Sequence, residues 1–292
     1  LEVNLYTFHE ESRNVHTVRV DLNRNSEWEF WVLLSADRHH DNKFSEHKLE
    51  TRHLDEATEK GAPVLDFGDL FCCMQGKWDK RKDQNQLRDE LRGNNYLDDV
   101  VQYNAEYYAK YADNLELVCK GNHETSISNH HQVNLTNNLV DKIHRITGKV
   151  VHTGGYSGWV RFLFSSKNKT YNTQFKMYYH HGAGGSAPVT KGVIRTARQS
   201  AYLLDADIVV SGHTHSNWIF VLPKIGLSHS GKIYHKNQTH IKCPGYQGGW
   251  QDGYGGWAVE KDFGPTSLGA WWLKFTWDRV NEIVKYTTVM AC

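Results

Sequence analysis

The stretch "EFWVLLSADRHHDN", residues 29–42, decides how the rest of the chain is read. Its apolar first half, rich in aromatic and branched side chains, reads as a buried strand running to Asp37. Beyond it stand five side chains of metal-ligand type: Asp37, His39, His40, Asp41 and Asn42. If the strand end stays extended, Asp37 and His39 project to one face and His40 to the other. That register lets Asp37 and His39 act together as ligands and sets His40 apart from them, as a structural or solvent-facing residue. Asp41 shares the face and is placed to orient a ligand. Asn42 reads as a turn or cap before a polar helical segment around 43–60.

The same arrangement recurs downstream. "PVLDFGDL" (63–70) is a short strand running into a turn at Gly68, and "NLELVCKGNHE" (114–124) is a third strand ending in a loop. Between them, 79–113 predicts one broken helix or two, and "VNLTNNLVDKIHRIT" (133–147) predicts a helix stopped by Gly148. "GWVRFLFSS" (158–166) and "FKMYYHHG" (175–182) alternate as paired strands, and "VTKGVIRTARQSAYLLD" (189–205) reads as a helix. "ADIVVSGHTH" (206–215) is another buried strand. The aromatic, glycine-rich remainder, with "LGAWWLKFTWD" (268–278) and "EIVKYTTVM" (282–290), predicts β-structure with long loops. Strands followed by helices imply a layered α/β fold, in which polar groups beyond strand carboxyl ends converge on one crevice. Here those ends carry Asp37 and His39, Asp69, Asn122 and His123, His181, and His213 and His215.

No Pro/Ser-rich linker or charge block divides the 292 residues. Residues 28–292 therefore read as a single domain with an aromatic, glycine-rich C-terminal β region, and the polar residues 1–27 as an N-terminal extension packed on it. A net charge of +1 creates no field that favours duplex DNA or an anionic membrane. The apolar runs are far too short to span a bilayer, and no membrane partner is expected. No charged segment followed by an apolar one opens the sequence, so secretion is not indicated. Five cysteines, two of them the neighbours Cys72 and Cys73, point to reduced thiols and the cytoplasm.

Five blocks stand in order: "DRH" at 37–39, "GD" at 68–69, "GNHE" at 121–124, "HHG" at 180–182 and "GHTH" at 212–215. Together they resemble the signature of the calcineurin-like metallophosphoesterases. The resemblance implies a four-layer α/β/β/α sandwich of two mixed sheets flanked by helices, with a metal site at the strand carboxyl ends. It implies two divalent ions sharing Asp69: Asp37, His39 and His215 complete the first position, and Asn122, His181 and His213 the second. Imidazoles with carboxylates suit Mn²⁺ foremost, with Fe, Zn, Ni or Mg as alternatives. In such enzymes a metal-bridging hydroxide attacks phosphorus directly, without a phospho-enzyme. His123 would be the general acid, and Asn122, His123 and Lys120 would contact the substrate, a small phosphomonoester or phosphodiester. Lys77, Arg81, Lys191 and Arg195 are further cations for phosphate.

Departures narrow the resemblance. Ser/Thr protein phosphatases carry an Asp-Arg pair where Cys72-Cys73 stand and Arg where Lys120 stands, and purple acid phosphatases carry a metal-binding Tyr that residues 71–74 lack. "GDLFCCMQGKWDKR" (68–81) resembles phage and prophage proteins known only as metallophosphoesterases. The enzymatic alternative is a metal-dependent DNA nuclease, with nucleic acid as partner, although the tail after His215 leaves little room for a DNA-capping domain. A non-catalytic binding protein of the same fold is disfavoured, since every ligand block is intact. Cys72 and Cys73 read first as small buried thiols, and the aromatic stretch 245–257 as core or cleft wall. Oligomeric state is left open.

Overall fold

Within the polar residues 1–27, a β-hairpin of β1 (Tyr6–Ser12) and β2 (Val15–Leu22) joins a sheet edge. The alternation in "VHTVRVDL" explains this. Val18, Val20 and Leu22 are buried while Arg19 and Asp21 face solvent, the period of a strand with one face on the core. The structure, a computed structural model, describes residues 5–25, 27–74, 84–166, 171–185, 189–190, 192–250, 252–254, 257–260, 262 and 264–291.

The chain continues as β3 (Glu29–Ser35), α1 (His47–Glu59), β4 (Val64–Asp66), α2 (Tyr96–Tyr108), β5 (Leu115–Val118), α3 (Asn122–His131) and α4 (Leu135–Thr147). Then follow β6 (His152–Thr153), β7 (Ser157–Ser166), β8 (Asn172–His180), α5 (Val193–Tyr202) and β9 (Ile208–Ser211). The last strands are β10 (Trp218–Leu227), β11 (Ile233–Lys242), β12 (Ala270–Asp278) and β13 (Ile283–Ala291). The helices obey the apolar spacing. In α4, Leu135, Leu139 and Ile143 are buried one turn apart, Asn134 caps the start, and Gly148 ends it with φ 73°. Of the charged region 79–113, the described residues hold one α-helix, α2, preceded by short 3₁₀ turns. The long hairpin β10–β11 escapes sequence reading because Pro223 and Gly226 interrupt it and its solvent side exposes Ile225, Leu227 and Ile233.

Two mixed sheets result, ordered β1-β2-β7-β8-β9-β11-β10 and β13-β12-β3-β4-β5-β6. Val18, Phe162, Met177 and Ile208 of the first pack against Phe30, Val32, Leu65 and Phe275 of the second, so the sheets face each other across one apolar core. Leu54 of α1, Val100 of α2 and Leu139 of α4 cover the outer face of the six-stranded sheet. The turn leaving α5 covers the other sheet through Leu203 and Ala206 against Val209. This is an α/β fold of two mixed sheets flanked by helices. Among the described residues no helix is long and apolar enough to cross a membrane. β3, β4 and β5 run parallel, as do β8 and β9, which brings the loops after each set to a common edge.

The N-terminal hairpin is tied to the second sheet by Tyr6, whose hydroxyl donates to Glu116 Oε1 of β5 at 2.8 Å. Burial, reinforced by the Asp113 carboxylate, pushes Glu116 up to about 7 from an ordinary 4.5. Folding thus favours the neutral carboxyl. Its contribution is complete below pH 4.5 and is lost as pH rises through about 7. Thermal melts of Glu116→Gln, which stays neutral, should gain on the parent protein as pH passes through this window. Parallel profiles for the two proteins would refute the assignment.

Candidate metal centre

β3 ends at Ser35, two residues earlier than the sequence suggests, and the backbone then leaves the extended region. Asp37 (φ 53°) and His39 (φ 44°) are both left-handed, so the expected strand register is replaced by a tight loop. The loop still turns both side chains to one point, with His39 Nε2 4.0 Å from Asp37 Oδ1. Backbone bonds hold it to the loop after β4: Asp37 N to Gly68 O at 2.9 Å, His39 N to Asp69 O at 3.0 Å and His40 N to Leu70 O at 2.9 Å. Gly68 is required there. Its φ is 103°, and a Cβ would stand 2.6 Å from Gly121 N.

Asp69 (φ 57°) lies against the start of α3. His123 N donates to its Oδ1 at 2.9 Å, a carboxylate at a helix N-terminus, where backbone donors and the helix dipole favour negative charge. Glu124 locks this junction by accepting from Gly121 N (2.8 Å), Phe71 N (3.0 Å) and Asp69 N (3.2 Å). After β8, His181 Nδ1 donates to Phe67 O at 2.9 Å. This leaves Nε2 3.1 Å from Asp69 Oδ2 and 3.2 Å from Asn122 Oδ1. After β9, His213 (φ 75°) donates its backbone N–H to Asp37 Oδ2 at 2.6 Å, while its ring Nδ1 lies 2.6 Å from Asn122 Oδ1. His215 (φ 50°) places Nε2 3.6 Å from Asp37 Oδ1. Gly212 allows this approach, since a Cβ on it would meet Asp37 Oδ2 at 2.4 Å.

All seven predicted ligands are therefore gathered at one edge, in two groups. Donor atoms of Asp37, His39 and His215 lie within 4.8 Å of one another, as do those of Asp69, His181 and His213. Asn122 reaches both imidazoles of the second group. The donor set fits divalent cations. Asp37 Oδ1 and both ring nitrogens of His39 are buried without a hydrogen-bond partner, a costly arrangement that ligation to a cation would resolve. Among the described residues nine non-glycine positions have positive φ, and Asp37, His39, Asp69, His213 and His215 are five of them. Strain concentrated on ligand-type residues marks a functional site.

For His39, His213 and His215 the electrostatics agree with that chemistry. Burial holds His39 well below the usual imidazole range, helped by His123 and His215, and burial lowers His213 and His215 as well. Neutral imidazole is the form that coordinates metal. Burial opposes the charged form of Asp69, yet the imidazoles of His123 and His181 hold its carboxyl well below the usual range. His181 is the counterpart: burial works against its charge, but the Asp69 and Asp37 carboxylates push it up to about 9.

The remaining predicted residues separate clearly. His123 Nδ1 donates to the Cys72 carbonyl, and its Nε2 stands 3.8 Å from Asp69 Oδ2. Lys120 is half-buried on the loop between β5 and α3. Arg195 donates to the Ala183 carbonyl, beside the His181 loop. Lys77, Arg81 and Lys191 lie outside the described residues. His40 is buried and structural, with Nδ1 2.7 Å from Glu50 Oε2. Asp41, expected to orient a ligand, accepts instead from Cys72 N (2.6 Å) and Cys73 N (2.9 Å). Asn42 Oδ1 accepts from Phe44 N at 2.9 Å, as a turn residue does. Sequence reading missed Arg38, fully buried between the two ligands of its own motif, and Lys242, whose Nζ donates to the Gly212 carbonyl. Burial lowers Lys242 to about 8. Position inside "DRH" was the one signal for Arg38. Lys242 lies 27 residues beyond His215 and carried none.

No protein-family model and no curated protein matches the chain. Among solved structures, a conserved uncharacterized protein from Streptococcus pneumoniae, described as a predicted phosphoesterase, is similar at 11% identity and a TM-score of 0.31. The similarity spans 91% of this chain and 92% of that one, and at so low a TM-score it carries no argument.

Binding of Mn²⁺ to these donors should stabilise the folded chain by about 2.7 kcal/mol at a hundredfold excess over Kd. The measurement is a thermal melt with and without Mn²⁺ after chelation. Asp69→Ala should lose the shift, and a shift of equal size in that variant would remove Asp69 from the centre.

Proposed function

We propose that the chain is a metal-dependent phosphoesterase acting on a small phosphorylated substrate, a monoester or a diester. The observation that carries the reading is the convergence of two ligand groups, Asp37–His39–His215 and Asp69–His181–His213, each buried but for its half-buried last histidine, at one edge where parallel strands end. Asp69 belongs to the second group, and its Oδ2 lies 3.1 Å from His181 Nε2 and 3.8 Å from His123 Nε2. A pair of divalent ions held there would supply Lewis acidity toward a phosphoryl oxygen and would activate water near neutral pH.

The chain's own groups supply the rest. Asp37, His39 and His215 would hold one ion and Asn122, His181 and His213 a second, with the Asp69 carboxylate as a further ligand. The Phe67 carbonyl fixes the His181 ring by accepting from Nδ1, so Nε2 faces the centre without a rotational search. The Cys72 carbonyl does the same for His123, assigning one proton to Nδ1 and leaving Nε2 to carry the proton that moves. In its protonated form His123 Nε2 donates to the oxygen of the departing alcohol and so avoids expulsion of a free alkoxide. Lys120 and Asn122 contribute charge and a hydrogen bond to the phosphate.

The test is turnover of aryl and alkyl phosphomonoesters and phosphodiesters by Mn²⁺-loaded protein, with single-stranded and duplex DNA as further substrates. Asp69→Ala and His213→Ala should each lower kcat by about a thousandfold or more. His123→Asn should lower kcat by about a hundredfold on alkyl esters and much less on nitrophenyl esters, whose leaving group needs no proton. Undiminished activity in Asp69→Ala and His213→Ala would overturn the site, and equal losses on both ester types would remove His123 as the acid.

A further inference from the structure

A third group of donor atoms overlaps the centre. Cys72 Sγ and ring nitrogens of His39 and His123 lie within 4.8 Å of one another, and all three residues are buried. Cys72 is held from several directions. Its N–H donates to Asp41 Oδ1 at 2.6 Å, its carbonyl receives His123 Nδ1–H, and Asn42 Nδ2 donates to Sγ at 3.3 Å. Facing it is His39, only 2% exposed, with neither ring nitrogen hydrogen-bonded. Among the described residues the adjacent thiol, Cys73, belongs to no such group. A fourth group, His40–His47–Glu50, is already spent on structure. Its Glu50 is bound by Arg38 and Tyr108, and its two rings stack at 3.8 Å, 10° from parallel.

We propose that Cys72 is a sulfur donor at the first ion position, beside His39, and that it biases the centre toward ions that accept thiolate. The inference rests on reading this edge as a phosphoesterase metal centre, and it names the kind of ion the first position takes. Carboxylates and imidazoles alone serve Mn²⁺, Fe²⁺ and Zn²⁺ with little discrimination, whereas a thiolate favours Zn²⁺, Fe²⁺ or Co²⁺ over Mn²⁺ and Mg²⁺. On binding, the sulfur–ion bond replaces the S–H bond, and the thiol proton passes to solvent. The Asn42 amide, which already donates to Sγ, stabilises the charge left on sulfur.

Absorption spectroscopy of Co²⁺-loaded protein tests this without an activity assay. The parent and Cys73→Ser should show a sulfur-to-cobalt charge-transfer band in the near ultraviolet, and Cys72→Ser and Cys72→Ala should lack it. By competition titration, Cys72→Ser should bind Zn²⁺ about tenfold more weakly while holding Mn²⁺ within about twofold. If both variants fail to fold, the spectra of the parent and Cys73→Ser still decide the matter. A parent that binds two Co²⁺ without the band, or a Cys72→Ser that keeps it, overturns the role of Cys72 and leaves the centre standing. A parent that binds neither Co²⁺ nor Mn²⁺ overturns both.

Discussion

Everything at the ligand edge hangs on one buried cation. Arg38 has no solvent exposure, and its guanidinium donates to Asp66 Oδ2 (2.7 Å), Glu50 Oε1 (2.7 Å) and Ser35 Oγ (2.8 Å). Those partners lie at the ends of β4 and β3 and within α1. The rings of Tyr108 and Tyr246 complete the shell, 5.8 and 5.3 Å away. A buried charge is tolerable only when its hydrogen-bonding capacity is met, and here it is met from several elements at once. The loop carrying Arg38 thus has one low-energy path between strand and helix. That path turns Asp37 and His39, on either side of Arg38, toward the centre. Glu50 extends the network to His40, so half of the opening histidine-rich stretch is scaffold for the other half.

The second constraint is closeness. The loops after β4, β5, β8 and β9 approach so tightly that Gly68 and Gly212 have no room for a Cβ. Backbone bonds seal these approaches, such as Gly212 N to His181 O at 2.8 Å and Cys119 N to Asp66 O at 2.9 Å. Left-handed backbone at five ligand-type residues is costly for non-glycine side chains, and only an over-determined surrounding sustains it. The centre is preorganised in this sense. Its donors are held at their positions by the fold, and their separation does not depend on side-chain freedom.

Much of the layout was readable because strand ends and ligand types coincide in the sequence. Apolar runs locate β3, β4, β5 and β9, and the helix spacing in 135–147 and its stop at Gly148 are plain. The five blocks named all seven residues that converge. What failed to show were features with weak local signals. The N-terminal hairpin looks polar because only one of its faces is buried, and β10–β11 has an apolar solvent side that blurs its alternation. Reading Asp37 and His39 as extended neighbours also failed, although they do meet. A left-handed turn leaves no periodic trace.

The sequence by itself determined which residue types stand where strands stop, since that order follows from hydrophobic patterning and residue identity. It thereby determined the class of chemistry the edge can support. Only the tertiary structure decided which nitrogen of His181 and of His123 is anchored. It alone buried Arg38 among the ligands and brought Cys72 Sγ to His39. Such facts depend on packing between segments apart in the chain, by 12 residues for Arg38 and Glu50, 51 for His123 and Cys72 and 114 for His181 and Phe67, where side-chain direction is set by neighbours in space and not in sequence.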